Sequence, residues 1–198
     1  MNFEIIIIDG NMQSSDPFVR RLEKVFQDAR VILFPDVRES LDYIFDNLSK
    51  KLIVFLDCKF DTGLQGIDGL KRIREKTSLL YIVMMSANSP LQQPVDDVIE
   101  MINNKGIYFI NNADMRKAEE IVERIKYNWN TDFDCVLEQW ILQHKEEADK
   151  PFMYRGKESY TLRKILDEVR RQTGFGKDIE RIMYKSTIQS LLDSKLDD

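Results

Sequence analysis

The amino-acid sequence predicts an α/β protein with a five-stranded, parallel, doubly wound sheet, followed by a small all-α C-terminal module. Five short apolar runs, rich in β-branched and aromatic residues, are typical of strands buried on both faces of a parallel sheet. A segment with apolar residues at helical spacing follows each run, and this alternation indicates helices on both faces of the sheet. Polar residues stand directly after four of the five runs, which points to a site where the strands end.

The apolar runs place the five strands at residues 3–9, 29–34, 52–56, 79–85 and 107–110. The first helix is expected to start at Asp16 and Pro17, because aspartate is a good N-cap and proline suits the first helical position. The other four helices are predicted at residues 39–48, 68–76, 94–102 and 114–129.

The polar residues that follow the strands are expected to form one cluster, because right-handed crossovers bring the carboxyl ends of parallel strands to one edge of the sheet. Its members are Asp9, Asp57, Ser86 and Asn112. Taken alone, Asp57 is explained as well by a loop cap. Two carboxylates at neighbouring strand ends suit Mg²⁺, and a carboxylate beside a metal ion can accept a phosphoryl group. A serine hydroxyl one strand away could donate a hydrogen bond to such a group.

Residues 1 to about 128 resemble the receiver domain of two-component response regulators, which has the CheY-like variant of the flavodoxin fold. The stretches that carry the resemblance are Ile-Ile-Ile-Asp9, Val-Phe-Leu-Asp57, Gly66-Ile-Asp-Gly-Leu-Lys-Arg-Ile-Arg74, Met84-Met-Ser-Ala87 and Gly106-Ile-Tyr-Phe-Ile110. The resemblance implies that Asp57 is the phospho-acceptor and Ser86 the hydroxyl that reports phosphorylation. It also implies that Asp9 and Asp57 hold Mg²⁺ and that Phe109 is the aromatic switch.

Two departures from the receiver pattern bear on the phosphorylation site. Where the family has a second acid, usually a direct metal ligand, this chain has Gly10. Where the family has a lysine at the end of the fifth strand, this chain has Asn111 and Asn112, which carry no charge. In one interpretation Asp16 supplies the replacement acid for the metal and phosphorylation survives. In the other, the site is degenerate and the domain is a pseudo-receiver.

The chain is expected to divide into a receiver-like domain at residues 1–130 and a helical module at residues 131–198. Within the module we predict a helix at 131–148, a connector at 151–156 and a helical hairpin at 160–194. The two helices of the hairpin are separated by Gly174-Phe-Gly176, and the second helix starts at Asp178. An apolar stripe with Trp129 and Trp140 can pack inside the chain or against a second protomer in a homodimer.

Bulk properties narrow the classes of function. The net charge of −5 argues against general affinity for nucleic acids, which requires a basic surface. No apolar run approaches the roughly 20 residues of a membrane-spanning helix, and the N-terminus lacks the features of a signal peptide, so we predict a cytoplasmic protein. The two cysteines and the single histidine show no metal-ligand spacing.

The sequence therefore predicts a response regulator that acts through protein–protein contacts of its helical tail and has no catalytic output. The resemblance implies a histidine kinase or a phosphotransfer protein as phosphoryl donor, and a downstream protein that recognises the signal. Two alternatives stay open: a phosphorylation-independent adaptor, and a DNA-binding transcriptional regulator that uses the hairpin at 160–194. An unrelated doubly wound enzyme is disfavoured, because no glycine-rich phosphate loop follows the first strand.

Overall fold

The computed structural model describes residues 3–89, 92–112 and 114–193. The chain divides into two compact units, residues 1–127 and residues 128–198.

The first unit is built on one five-stranded parallel sheet with strand order β2-β1-β3-β4-β5, which confirms the predicted fold class. The strands are β1 (Phe3–Ile8), β2 (Ala29–Phe34), β3 (Leu52–Asp57), β4 (Tyr81–Ser86) and β5 (Ile107–Asn111). The helices are α1 (Pro17–Val25), α2 (Val37–Asp46), α3 (Gly66–Lys76), α4 (Val95–Ile102) and α5 (Met115–Asn128).

Burial explains why the three central strands are almost purely apolar. All six residues of β1 and of β4 are buried, and only the last residue of β3 is partly exposed. The edge strands β2 and β5 are each buried at one residue only. Strands covered on both faces have no solvent-facing side to fill with polar residues, and the one charged residue within them before their ends, Glu4 of β1, is buried and accepts hydrogen bonds from Tyr43 and Lys50.

Helix α4 exposes most of its apolar residues. Only Met101 is buried, whereas Val95, Ile99 and Ile102 are 73%, 50% and 76% exposed. These three recur at positions i, i+4 and i+7, so they form one stripe along the helix. The first unit thus carries an apolar stripe that is exposed to solvent.

The second unit contains helices and a β-hairpin, so the predicted all-α module is corrected. Its elements are α6 (Phe133–Gln143), α7 (Lys145–Ala148), β6 (Pro151–Arg155), β7 (Glu158–Thr161), α8 (Leu162–Arg170) and α9 (Gly174–Asp193). The helix predicted at 131–148 is two helices, because the chain leaves helical geometry at His144, with φ −121° and ψ 54°. Residue 194, the predicted end of the hairpin of helices, lies outside the described residues, as do 195–198.

The segment predicted as a connector forms the first strand of the β-hairpin. Residue Arg155 pairs with Glu158, so the turn consists of two residues, and Gly156 in it has φ +63°. Two-residue hairpin turns require positive φ, which glycine adopts without strain. The aromatic-rich sequence of β6 then pairs with β7 instead of remaining irregular.

Helix α9 begins at Gly174, four residues earlier than predicted. The hydroxyl Oγ1 of Thr173 accepts a hydrogen bond from the backbone N–H of Gly176 at 3.0 Å, which caps the new helix. A Cβ atom at position 176 would lie 2.1 Å from the carbonyl oxygen of Glu168 in α8. The glycine therefore allows the backbones of α8 and α9 to approach closely, and does not break the helix.

A buried ion-pair cluster joins α8 to α6. The Arg170 guanidinium is 5% exposed, and it donates hydrogen bonds to the carboxylates of Asp134 at 3.0 Å and Glu138 at 3.2 Å. Removal of one partner from such a cluster leaves an uncompensated buried charge. The cluster thus fixes which face of α8 meets α6.

Across the part of the chain that the structure describes, no helix combines the length and apolar character that crossing a bilayer requires.

A first prediction concerns the two glycines at the start of α9. Gly176→Ala should lower the free energy of unfolding of the second unit by about 3 kcal/mol, because the new methyl group overlaps the backbone of α8. Gly174→Ala is the matched control: a Cβ there meets no atom within 4 Å, and alanine should stabilise the helix by up to about 1 kcal/mol.

Urea unfolding followed by tryptophan fluorescence measures both variants, since Trp129 and Trp140 both lie in the second unit. Equal stabilities of the two variants would contradict the close approach of α8 and α9.

Candidate functional site at the carboxyl edge of the sheet

Strand register brings three of the predicted site residues together. Residue Ile8 of β1 is opposite Leu56 of β3, so the next residues, Asp9 and Asp57, leave neighbouring strands side by side. Residue Asp57 is opposite Met85 of β4, so Ser86 lies one residue further along the adjacent strand. The site occupies the edge of the sheet that the sequence indicated.

The carboxylate of Asp9 is buried and organises the loop that follows it. Its Oδ1 accepts hydrogen bonds from the backbone N–H groups of Asn11 at 2.8 Å and Met12 at 3.0 Å. The neighbouring Gly10 is exposed, and a Cβ there would meet its nearest atom, the carbonyl oxygen of Pro35, at an ordinary 3.4 Å. A Cβ atom at position 10 is therefore sterically tolerated, although the sequence places no side chain there.

The Asp57 carboxyl group has a strongly raised pKa of about 6. Burial is the largest cause, and the negative charge of Asp9 is the second. Hydrogen bonds from the backbone N–H groups of Lys59 and Cys58 lower the pKa, but by less than burial and the charge of Asp9 raise it. The pair is therefore an electrostatically strained dicarboxylate, and a bound cation would relieve the repulsion between its members.

A hard divalent cation fits Asp9 and Asp57, since Mg²⁺ is commonly held by one or two carboxylates and several waters. The proposed third acid does not join them: the side chain of Asp16 accepts a hydrogen bond from the backbone N–H of Phe18 at 2.8 Å and caps α1. Among the residues with described positions, no group of three or more His, Cys, Asp or Glu could hold a metal ion. Any cation here would depend on two carboxylates.

The Ser86 hydroxyl is buried and linked to the segment that leads into α4. Its Oγ accepts hydrogen bonds from the backbone N–H of Asn88 at 3.1 Å and from Nε2 of Gln93 at 3.0 Å. A hydroxyl accepts two hydrogen bonds and donates one, so its O–H remains as the group that can serve an anionic acceptor. Sequence reasoning missed Gln93, since a glutamine in a loop carries no pattern that marks it as the partner of a distant serine.

Asn111 and Asn112 are also linked to this segment by hydrogen bonds. The backbone N–H of Asn112 donates a hydrogen bond to the carbonyl oxygen of Ser86 at 3.1 Å. The side-chain Nδ2 of Asn111 donates one to the carbonyl oxygen of Ala87 at 3.2 Å. Residue Phe109, the predicted aromatic switch, is half-buried in β5 opposite Met84 and packs against the core. Its predicted role as a switch stays a prediction.

Solved structures with this fold include several receiver domains. A CheY-like receiver domain protein from Methanospirillum hungatei JF-1 is 15% identical, with a TM-score of 0.52 over 67% of this chain and 100% of the other. CheY4 of Vibrio cholerae is 12% identical, with a TM-score of 0.51 over 63% of this chain and 99% of the other. The signal receiver domain of an HD domain-containing protein from Pseudomonas fluorescens Pf-5 is 13% identical, with a TM-score of 0.51 over 67% of this chain and 100% of the other.

Neither a protein-family model nor a curated protein matches the sequence. The structural likeness covers about two thirds of the chain, close to the share of the first unit. At these identities it shows the fold, which is that of CheY-like receiver domains.

A second prediction follows from the raised pKa of Asp57. Because the folded pKa lies above the unfolded one, the ionised carboxylate destabilises the folded state, and stability falls as the pH rises from about 4 through 6. Asp57→Asn removes this charge and should raise the free energy of unfolding by about 1–2 kcal/mol at pH 7.5, with the gain shrinking toward zero near pH 4.

Urea unfolding monitored by circular dichroism at the two pH values tests this prediction. Asp61→Asn removes an exposed charge from the same loop and serves as the control, with little expected change at either pH. A variant at position 57 that is no more stable than wild type at pH 7.5 would contradict the electrostatic strain.

Proposed function

From the receiver-domain fold of the first unit, we propose that this chain is a two-component response regulator that accepts a phosphoryl group on Asp57. The supporting observation is the pairing of Asp57 with the buried Asp9, with a serine hydroxyl at the end of the next strand. A histidine kinase or a phosphotransfer protein is the proposed donor, and Mg²⁺ is the proposed cofactor. The protein has no catalytic output of its own in this proposal and works in the cytoplasm.

Phosphoryl transfer would use the ionised form of Asp57. A carboxylate oxygen attacks the phosphorus of a phosphohistidine, the N–P bond breaks, and the imidazole leaves with its electron pair and takes up a proton. With a pKa of about 6, roughly nine tenths of Asp57 is ionised at pH 7. A bound Mg²⁺ would supply positive charge for the phosphoryl oxygens, and Asp9 and Asp57 are the residues that would hold it.

The proposed signal leaves the site through α4. A phosphoryl oxygen on Asp57 would accept the O–H of Ser86, and a shift of that hydroxyl is transmitted to Gln93, which directly precedes the cap of α4. Phe109 would follow Ser86 inward. The exposed stripe of Val95, Ile99 and Ile102 is then the surface that changes for a protein partner.

A constitutive adaptor is the second candidate, and two residues favour it. Position 10 lacks the acid that would complete the metal site, and Asn112 lacks the charge of the family lysine. Replacing a cation beside a doubly charged group with an amide weakens a charge-assisted hydrogen bond, which is about twice as strong as a neutral one. In this candidate the α4 surface is permanently in one state and binds its partner without phosphorylation.

DNA binding through α8 and α9 has less support. Acidic residues lie among the cationic residues of α9, and the guanidinium of Arg181 pairs with Asp178 at 2.8 Å. Paired cations contribute little to the counterion release that drives binding to phosphate backbones. A transcriptional role would have to come from a protein contact instead.

The third prediction separates the two candidates. Incubation with acetyl phosphate and Mg²⁺, followed by intact-mass measurement, should show one added phosphoryl group on the wild-type chain and none on Asp57→Asn. Absence of the adduct from the wild type would contradict phosphorylation and favour the adaptor. An adduct that persists in Asp57→Asn would place the phosphoryl group elsewhere and contradict the proposed site.

Gly10→Asp extends the same experiment. A Cβ atom at position 10 meets only ordinary contacts, and the added carboxylate should lower the Mg²⁺ concentration for half-maximal phosphorylation about tenfold, equivalent to about 1.4 kcal/mol of metal binding. Asp61→Asn, outside the proposed metal site, should leave that concentration unchanged. No effect of Gly10→Asp would argue that the cation does not sit between Asp9 and Asp57.

A further inference from the structure

The second unit contains an apolar groove that its own side chains do not fill. The groove has a volume of about 420 Å³ and is open to solvent. It is formed by side chains from α6, β6, α8 and α9, which include Val136, Trp140, Phe152, Met183 and Tyr184. Among these, Trp140 is 41% exposed and Phe152 is 54% exposed, although both are large apolar side chains.

Helix α9 continues past this groove with its apolar residues in water. Every residue from 184 to 193 is exposed. Tyr184, Ile188 and Leu192 are 49%, 59% and 54% exposed, and their four-residue spacing places them in one row along the helix. The ring of Tyr184 lies 5.6 Å from that of Phe133 at the groove, so the row starts at the groove itself. A helical segment of this length is marginal in water without tertiary packing.

We propose that a second copy of this chain covers the groove and the row, with the two α9 helices packed antiparallel about a two-fold axis at Ile188. In this arrangement Tyr184 of one copy faces Leu192 of the second copy, and the two Ile188 side chains meet at the axis. Each copy has one groove and one exposed helical row. A two-fold dimer therefore covers the groove and the row of each copy, and no such surface is left to bind a third copy.

Charge favours the antiparallel orientation. On α9, Arg181 precedes the row, Lys185 follows its first residue, and Asp193 follows its last residue. Parallel helices would place each lysine opposite its own copy. Antiparallel helices centred on Ile188 separate the two Lys185 residues by about 9 Å along the axis and bring each within about 3 Å, along the axis, of Asp193 of the second copy.

The exposed apolar area is sufficient for a stable pair. Six large apolar residues at the groove and on the row are each between 41% and 59% exposed: Val136, Trp140, Phe152, Tyr184, Ile188 and Leu192. Together they offer about 450 Å² of apolar surface per copy, if a fully exposed aromatic side chain presents about 200 Å² and an aliphatic one about 100 Å². A standard interface buries about 800 Å² per partner, of which about 500 Å² is apolar. A second copy is therefore a sufficient occupant, and its contacts do not involve Asp57.

Analytical ultracentrifugation of the full chain tests the pairing. The wild type at about 50 μM should sediment as a dimer of the 23.4 kDa chain. Ile188→Glu places a charge on the axis and should raise the dimer dissociation constant at least about tenfold. Ser186→Glu is the matched control: it adds the same charge to the same exposed helix, but roughly 160° around from Ile188, and should leave the dimer intact.

A cysteine pair tests the orientation. Chains with Tyr184→Cys are mixed with chains with Leu192→Cys and oxidised, and intact mass identifies the products. The antiparallel arrangement predicts a disulfide between the two different chains, whereas parallel helices would link each variant to itself. Wild type provides the background from Cys58, which is half-buried, and Cys135, which is buried.

Three outcomes would overturn the proposal. A monomeric wild type at 50 μM excludes the pair, whether or not the monomer binds lipid vesicles or another protein through the groove. A dimer that survives Ile188→Glu places the interface elsewhere. Disulfides only between identical variants exclude the antiparallel orientation.

Discussion

The register of three buried parallel strands is the constraint on which the rest of the first unit depends. Strands β1, β3 and β4 are covered on both faces, so a one-residue shift between them would disturb the whole core. That register leaves Asp9 and Asp57 side by side at the edge of the sheet. The hydrophobic effect thus holds two like charges close together, and the core provides the energy that keeps them there.

The resulting site combines a pair of carboxylates with a hydroxyl that is hydrogen-bonded to the segment before α4. The strained dicarboxylate attracts cations, and the next strand places the Ser86 hydroxyl near it. That hydroxyl is joined through Gln93 to α4, whose outer face is apolar and exposed. The segment bonded to Ser86 through Gln93 therefore leads directly into a helix whose exposed apolar face is suited to protein contact. Gly10 and Asn112 add no charge to this arrangement, so a bound cation would be held by the two carboxylates alone.

The second unit reaches its fold by close backbone packing rather than by a large core. Gly176 lets α9 approach α8, and the buried Arg170 fixes the orientation of α8 on α6 through two carboxylates. A module of about 70 residues buries a limited apolar area, which is why several large apolar side chains remain in water. These side chains make the unit well suited to association.

The sequence by itself determined where the five strands lie and that Asp9, Asp57 and Ser86 stand at strand ends, because the period of apolar residues and the position of the first polar residue after each run are local properties. It also determined the helix cap Asp16, whose hydrogen bond spans two residues. Only the tertiary structure decided the link between Ser86 and Gln93, the exposure of the α4 stripe and the close contact that requires Gly176. Each of these depends on how segments distant in sequence pack together. A residue pattern within one segment does not identify the segment against which it packs.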